Sequence, residues 1–208
     1  MSSSDLTERD VLARPTVAPE APAGRSTGWW AMVLFIATEG ATFACFLASY
    51  FYLRFSSATS WPPPGEKEPG LVVPTIATAV LVISCGAMVL GSRAAGRRAR
   101  GGATLGVVGA LLGGVAFLVL QVVDWLREWP SSTLDKDAYG SLFYAITGLH
   151  AAHVVVGVGM LAFLAVSLAV RRAAARPAGP VALVAMYWYF MAVVGVAVYV
   201  TVYLSPTL

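Results

Sequence analysis

Five polar side chains, Glu39, Gln121, Asp124, His150 and His153, interrupt stretches of sequence that are otherwise apolar enough to lie in lipid. An ionisable group in hydrocarbon costs several kcal/mol unless it is paired, protonated or facing water, so each needs a partner or a task. Glu39 has three candidate tasks. It could exchange protons, grip a neighbouring subunit, or act as a neutral, hydrogen-bonded acid that locks helices together. His150 and His153 are the two histidines of the chain. Three apart, they share one helical face, and both fall within roughly 10 Å of the middle of their span. With Glu39 in reach they form a candidate proton-linked or structural polar cluster.

A haem clamped by two histidines takes them from opposite sides, and a tetrahedral zinc needs further His, Cys or carboxylate ligands. The residues offer neither, so no catalytic, cofactor-binding or metal-ligating residue is assigned. Gln121 and Asp124 share a face near one end of their span, where Trp125 and Trp129 mark the membrane boundary. They are expected as interfacial polar anchors, with Arg127 or Arg54 to neutralise the aspartate. The run Tyr187-Trp188-Tyr189-Phe190 has the character of an aromatic belt, so Tyr187, Trp188 and Tyr189 are expected to face lipid or another subunit.

The elements that must carry these groups are long apolar helices. Crossing a bilayer takes about 20 helical residues. Runs of that length occur at roughly 29–53, 71–92, 103–126, 141–170 and 181–204, which predicts an all-α bundle of five transmembrane helices over 28–208. Between them lie turn and charge signals: Trp61-Pro62-Pro63-Pro64-Gly65, Arg97-Arg98-Ala99-Arg100-Gly101-Gly102, Asp135-Lys136-Asp137, and Arg171-Arg172 through Pro177 and Pro180. Residues 1–27 mix charges with three prolines and have no apolar segment, so they are expected to be a disordered cytoplasmic tail and not a cleavable signal.

Composition agrees with a lipid solvent: 58% of the 208 residues are hydrophobic, 12% are charged, and the mean hydropathy is +0.73. The net charge of +3 does not form a basic stripe, so nucleic acid is not a predicted partner. The arginines and lysines divide by side instead. Ten (Arg9, Arg14, Arg25, Arg93, Arg97, Arg98, Arg100, Arg171, Arg172 and Arg176) flank one side, against four (Arg54, Lys67, Arg127 and Lys136) on the other. The excess marks the cytoplasm, placing the N-terminus inside and the C-terminus outside. Cys45 and Cys85 fall at different depths, and no disulfide is expected. Small residues at every fourth position, Gly102, Gly106, Ala110 and Gly114 in the third span and Gly40, Ala44 and Ala48 in the first, predict close helix packing.

Taken together, these embedded positions resemble subunit III of haem–copper cytochrome c and quinol oxidases, in a short five-helix bacterial form. Leu34-Phe35-Ile36-Ala37-Thr38-Glu39 with Phe43 and Phe46 is similar to the family's glutamate-bearing helix. Leu120-Gln121-Val122-Val123-Asp124 is similar to its Leu-Gln-x-x-Glu segment, with aspartate for glutamate. Tyr139-Gly140-Ser141, Phe143 and Thr147-Gly148-Leu149-His150-Ala151-Ala152-His153-Val154 resemble its Thr-Gly-x-His-x-x-His-Val signature. The last span departs from the family's Tyr-Trp-His-Phe-x-Asp-x-x-Trp: Tyr189, Ala192 and Gly195 stand where it has His, Asp and Trp.

The resemblance implies an accessory subunit with no redox centre of its own, packed beside oxidase subunit I and near subunit II. Those partners would carry the haems and copper, in the bacterial plasma membrane and within a respiratory supercomplex where one forms. It implies a supporting task in assembly, stability and sustained proton uptake during oxygen reduction. Three other readings stay open at this level: an accessory subunit of a nitric-oxide reductase, a small proton-linked carrier, and a haem-binding membrane cytochrome. Against the carrier stand the lack of internal repeats and of mid-span helix breaks.

Overall fold

The computed structural model describes residues 24–57, 61–63, 69–128, 138–170 and 178–207. The five spans form as helices α1 (Thr27–Ser56), α2 (Val72–Gly96), α3 (Arg100–Glu128), α4 (Ala138–Val170) and α5 (Ala178–Val198). A six-residue π-helical stretch, Tyr199–Leu204, and a 3-10 turn, Ser205–Thr207, continue α5. All five are long and apolar enough to cross a membrane, so this is an all-α, multi-pass membrane protein. Most of the expected tail at 1–27, and the loop signals at 135–137 and 171–177, lie outside the described residues.

The helices overrun the apolar runs into the polar boundary. Arg100-Gly101-Gly102, expected as loop, is the first turn of α3, which leaves only Arg97, Arg98 and Ala99 to reverse the chain. Arg98 takes the left-handed conformation with φ of 59°. Its N–H donates to the Ala95 carbonyl (3.1 Å) and the Ala99 N–H to that of Ala94 (2.9 Å), a Schellman closure that satisfies carbonyls left over at the end of α2. At the other end of the chain, Ser26 caps α1 by accepting from the Trp29 N–H at 3.3 Å, while the Arg25 guanidinium sits 4.2 Å from the Trp29 ring centre.

So short a turn forces α2 and α3 into an antiparallel hairpin, the most extensive helix pair of the bundle. Small residues let the two backbones meet. A Cβ placed on Gly106 would stand 2.7 Å from the Ala87 carbonyl oxygen, and one on Gly102 2.9 Å from the Ala94 Cβ. In lipid there is little hydrophobic drive between helices, and such backbone proximity supplies dispersion contact instead. The α3 row of small residues is therefore consumed inside the chain, while Ala44 and Ala48 of the α1 row are exposed.

Helix α5 lies at the centre, packed on α1, α2 and α4. Two cores surround it. One, made of Leu81, Met88, Val107, Phe117, Leu161 and Trp188 with several alanines, joins α2, α3, α4 and α5. The other is aromatic, with Phe43, Tyr50, Tyr139, Phe143, Tyr187 and Tyr203, and fastens α1 to α4, to α5 and to the π-helical stretch.

Candidate functional site

Helix α1 brings Glu39 against α4, where Glu39 Oε2 lies 2.8 Å from His153 Nε2. The other ring nitrogen, Nδ1, is 2.7 Å from the Leu149 carbonyl oxygen. A carbonyl only accepts, so Nδ1 carries a hydrogen, and the contact with Glu39 must itself contain one proton. Either the carboxylic acid donates to a neutral ring, or an imidazolium donates to a carboxylate. The pair thus shares one proton and has no net charge in either form. It is partly open, with 15% of the His153 side chain and 23% of the Glu39 side chain exposed.

Two neighbours hold the pair in place. The Tyr187 hydroxyl donates to the His153 backbone carbonyl at 3.0 Å, and the Phe43 ring meets His153 edge-on with centroids 5.2 Å apart. Tyr187 and Trp188 are both fully buried, which corrects the expectation that they face lipid or another subunit. The reason is packing volume. Trp188 fills the space above Gly114 and Gly157, where an added Cβ would meet its ring at 2.5 and 2.9 Å, and its Nε1–H donates to the Ser84 hydroxyl at 3.0 Å. Tyr189 differs: it borders a groove of about 380 Å³ open to the lipid side, with Cys85, Ala192 and Val193. Cys45 and Cys85 are free thiols.

His150, one turn before His153, does not join Glu39. It is 1% exposed, lies edge-on to Phe117 (5.4 Å) and Phe43 (6.2 Å), and neither of its ring nitrogens has a hydrogen-bond partner among the described residues. Gln121 and Asp124 are also buried, at 7% and 3% exposure, so they tie helices together inside the bundle and do not anchor a head group. Their partner is Tyr203 of the π-helical stretch. Its hydroxyl donates to Asp124 Oδ2 at 2.6 Å and accepts from Gln121 Nε2 at 3.4 Å. The wider π turn rotates Tyr203 inward, the local adjustment that such insertions allow. Arg54, a candidate to neutralise Asp124, instead donates to the Ser205 hydroxyl.

Three contributors had no role assigned from the sequence: Ser84, Tyr203, and Thr147, which entered only as the first residue of the Thr-Gly-x-His-x-x-His-Val signature. Thr147 accepts from the Trp125 Nε1–H at 3.1 Å while its own hydroxyl donates to the Phe143 carbonyl at 2.7 Å. The available signal was a hydroxyl inside an apolar span, which is common and weak because a Ser or Thr can bond its own helix backbone. Among the described residues, no three His, Cys, Asp or Glu side chains converge as a metal site.

Fold and site together define a small polytopic membrane protein whose embedded acid and histidine meet each other across two helices. Comparison with known proteins gives the family. The profile of cytochrome c oxidase subunit III matches residues 2–206. The probable cytochrome c oxidase subunit 3 of Nocardia farcinica is 31% identical over 82% of this chain and 84% of its own length. That of Mycobacterium bovis is 30% identical over 82% and 84%, and cytochrome c oxidase subunit 3 of Drosophila yakuba is 29% identical over 84% and 68%. This chain belongs to the cytochrome c oxidase subunit III family, the family of a subunit of a multi-subunit respiratory oxidase.

Proposed function

We propose that this chain is the accessory third subunit of an aerobic haem–copper oxidase, and that its Glu39–His153 pair serves both as the clasp holding α1 to α4 and as a proton-exchanging site that sustains proton uptake. The N-terminus lies on the cytoplasmic side of a bacterial plasma membrane, and subunits I and II carry the haems and copper. The observation that carries the site reading is the double contact of the His153 ring, Nδ1 at 2.7 Å from the Leu149 carbonyl and Nε2 at 2.8 Å from Glu39. With Nδ1–H committed to Leu149, a proton resides between Nε2 and Glu39 and can shift from one to the other without changing the charge of the pair.

The exposed edge of the pair lies within a membrane span, so exchange there would run through a partner subunit that covers it and not through bulk water. A partner subunit is supported by the outward face of α1. There Ala41, Thr42, Cys45, Ala48 and Ser49 are exposed, a row of small side chains on which another helix can close. The Thr42 and Ser49 hydroxyls donate to their own helix backbone at Thr38 and Cys45. The large exposed side chains of α1, among them Trp30, Leu34, Tyr52 and Phe55, lie toward its two ends and flank this row.

Mild-detergent purification of the tagged chain, with a visible spectrum and mass spectrometry of what accompanies it, tests the subunit reading. Haem bands with a histidine-rich subunit I and a copper-binding subunit II are expected. A nitric-oxide reductase pair in their place, or a colourless chain with no partner, would overturn it.

A further inference from the structure

We infer that a cavity beside His150 holds one ordered water molecule, hydrogen-bonded to His150 Nε2, which carries the outer polar string of Asp124, Tyr203 and Gln121 inward to that histidine. The cavity has a volume of about 10 Å³, and its polar lining is Thr78, Gln121, His150, Tyr199 and Tyr203. A single water needs roughly 10–15 Å³ measured in this way and two to four polar partners. Volume and lining both fit one molecule.

His150 supplies the reason for it. A neutral imidazole carries one donor and one acceptor, and buried polar atoms of this kind are nearly always bonded. Both nitrogens of His150 lack a protein partner among the described residues, and the flanking Phe43 and Phe117 rings offer none. His153 makes the contrast, since both of its nitrogens are bonded. The Nε2 edge of His150 faces Gly195, which also lines the cavity: a Cβ at Gly195 would lie 3.0 Å from Nε2 and 3.0 Å from Leu81 Cδ2. Glycine therefore keeps open the space that the water occupies. A side chain at this position would intrude on it.

Gln121 and Tyr203 already bond to each other, and Tyr203 to Asp124. A water within reach of Gln121 or Tyr203 and of His150 Nε2 makes these four side chains one network, separate from Glu39 and His153. The Phe43 ring stands between the two histidine systems, in contact with both.

The test uses the subunit in its purified membrane complex, as wild type, Gly195→Ala, and Gly148→Ala as a control whose added methyl meets nothing within 4 Å. In a wild-type density map that resolves ordered waters at other buried polar groups, a peak at hydrogen-bond distance from His150 Nε2 is expected. Its absence there would overturn the proposal. Infrared spectra before and after exchange into H₂¹⁸O should show a buried-water stretch that shifts in wild type and in Gly148→Ala and is missing in Gly195→Ala. Identical spectra for all three would contradict the assignment. Should Gly195→Ala not assemble, the wild-type map alone decides.

Discussion

The α2–α3 hairpin and the docking of α1 solve the same problem of holding helices together in lipid by opposite means. In the hairpin, side chains are removed until the backbones touch, as where Gly106 meets Gly91 and Ala87. Dispersion carries that contact, through groups that cannot titrate. At α1, contact is made through side chains: the Phe43 and Tyr50 rings, and the polar ties from Glu39 to His153 and from Arg54 to Ser205. Only Phe43 and Tyr50 of that helix are buried, so each tie carries more of the attachment. The tight region is suited to being a scaffold. The sparse one has room for a proton and a partner.

If that contrast is right, the largest effect belongs to the seam. Gly106→Val forces atoms into the backbone of α2, where no rotamer change gives relief, and overpacking costs typically about 1–3 kcal/mol and sometimes more. The folded subunit should be lost from membranes, as measured by its resistance to denaturing detergent. Wild-type resistance would mean that the two helices are free to separate.

On the α1 side, Glu39→Ala removes the clasp and leaves a His153 nitrogen without its partner, at a cost of about 1–3 kcal/mol. Glu39→Gln should cost far less, because the amide can still donate to the unprotonated Nε2. Detergent titration of both variants checks the order, and equal losses would show that the tie depends on charge, not on a shared hydrogen bond. Tyr203→Phe sits between the regions. It deprives buried Asp124 of its donor and should destabilise by about 1–3 kcal/mol. The smallest loss is expected for Ser84→Ala, which keeps the Trp188 ring among Gly114 and Gly157 but drops its bond to the hydroxyl, about 1 kcal/mol by the same titration.

Much of this is legible in the amino-acid sequence. The five spans are visible because the bilayer imposes a length and an absence of charge, and because turn residues separate them. Glu39 and His153 stood out because ionisable groups in apolar runs are conspicuous. What could not be seen is which face each helix presents. Helix α5 is apolar all round, so its pattern does not say whether Tyr187 and Trp188 point to lipid or inward. Only the facing glycines of α3 and α4 settle it. His150 and His153 look equivalent in sequence, yet one turn of helix directs one to Glu39 and the other to Gly195. The inward turn of Tyr203 depends on a π-helical stretch that α-helical periodicity does not announce.

The central claim, that the Glu39–His153 pair does proton work beyond fastening α1, is tested most directly by Glu39→Gln in the purified oxidase complex. The amide should leave subunit composition and haem content unchanged, while activity under continuous turnover decays sooner than in wild type and fewer protons are translocated per electron. A variant that assembles normally, lasts as long in turnover and translocates as many protons would contradict the claim and leave the pair a structural clasp only.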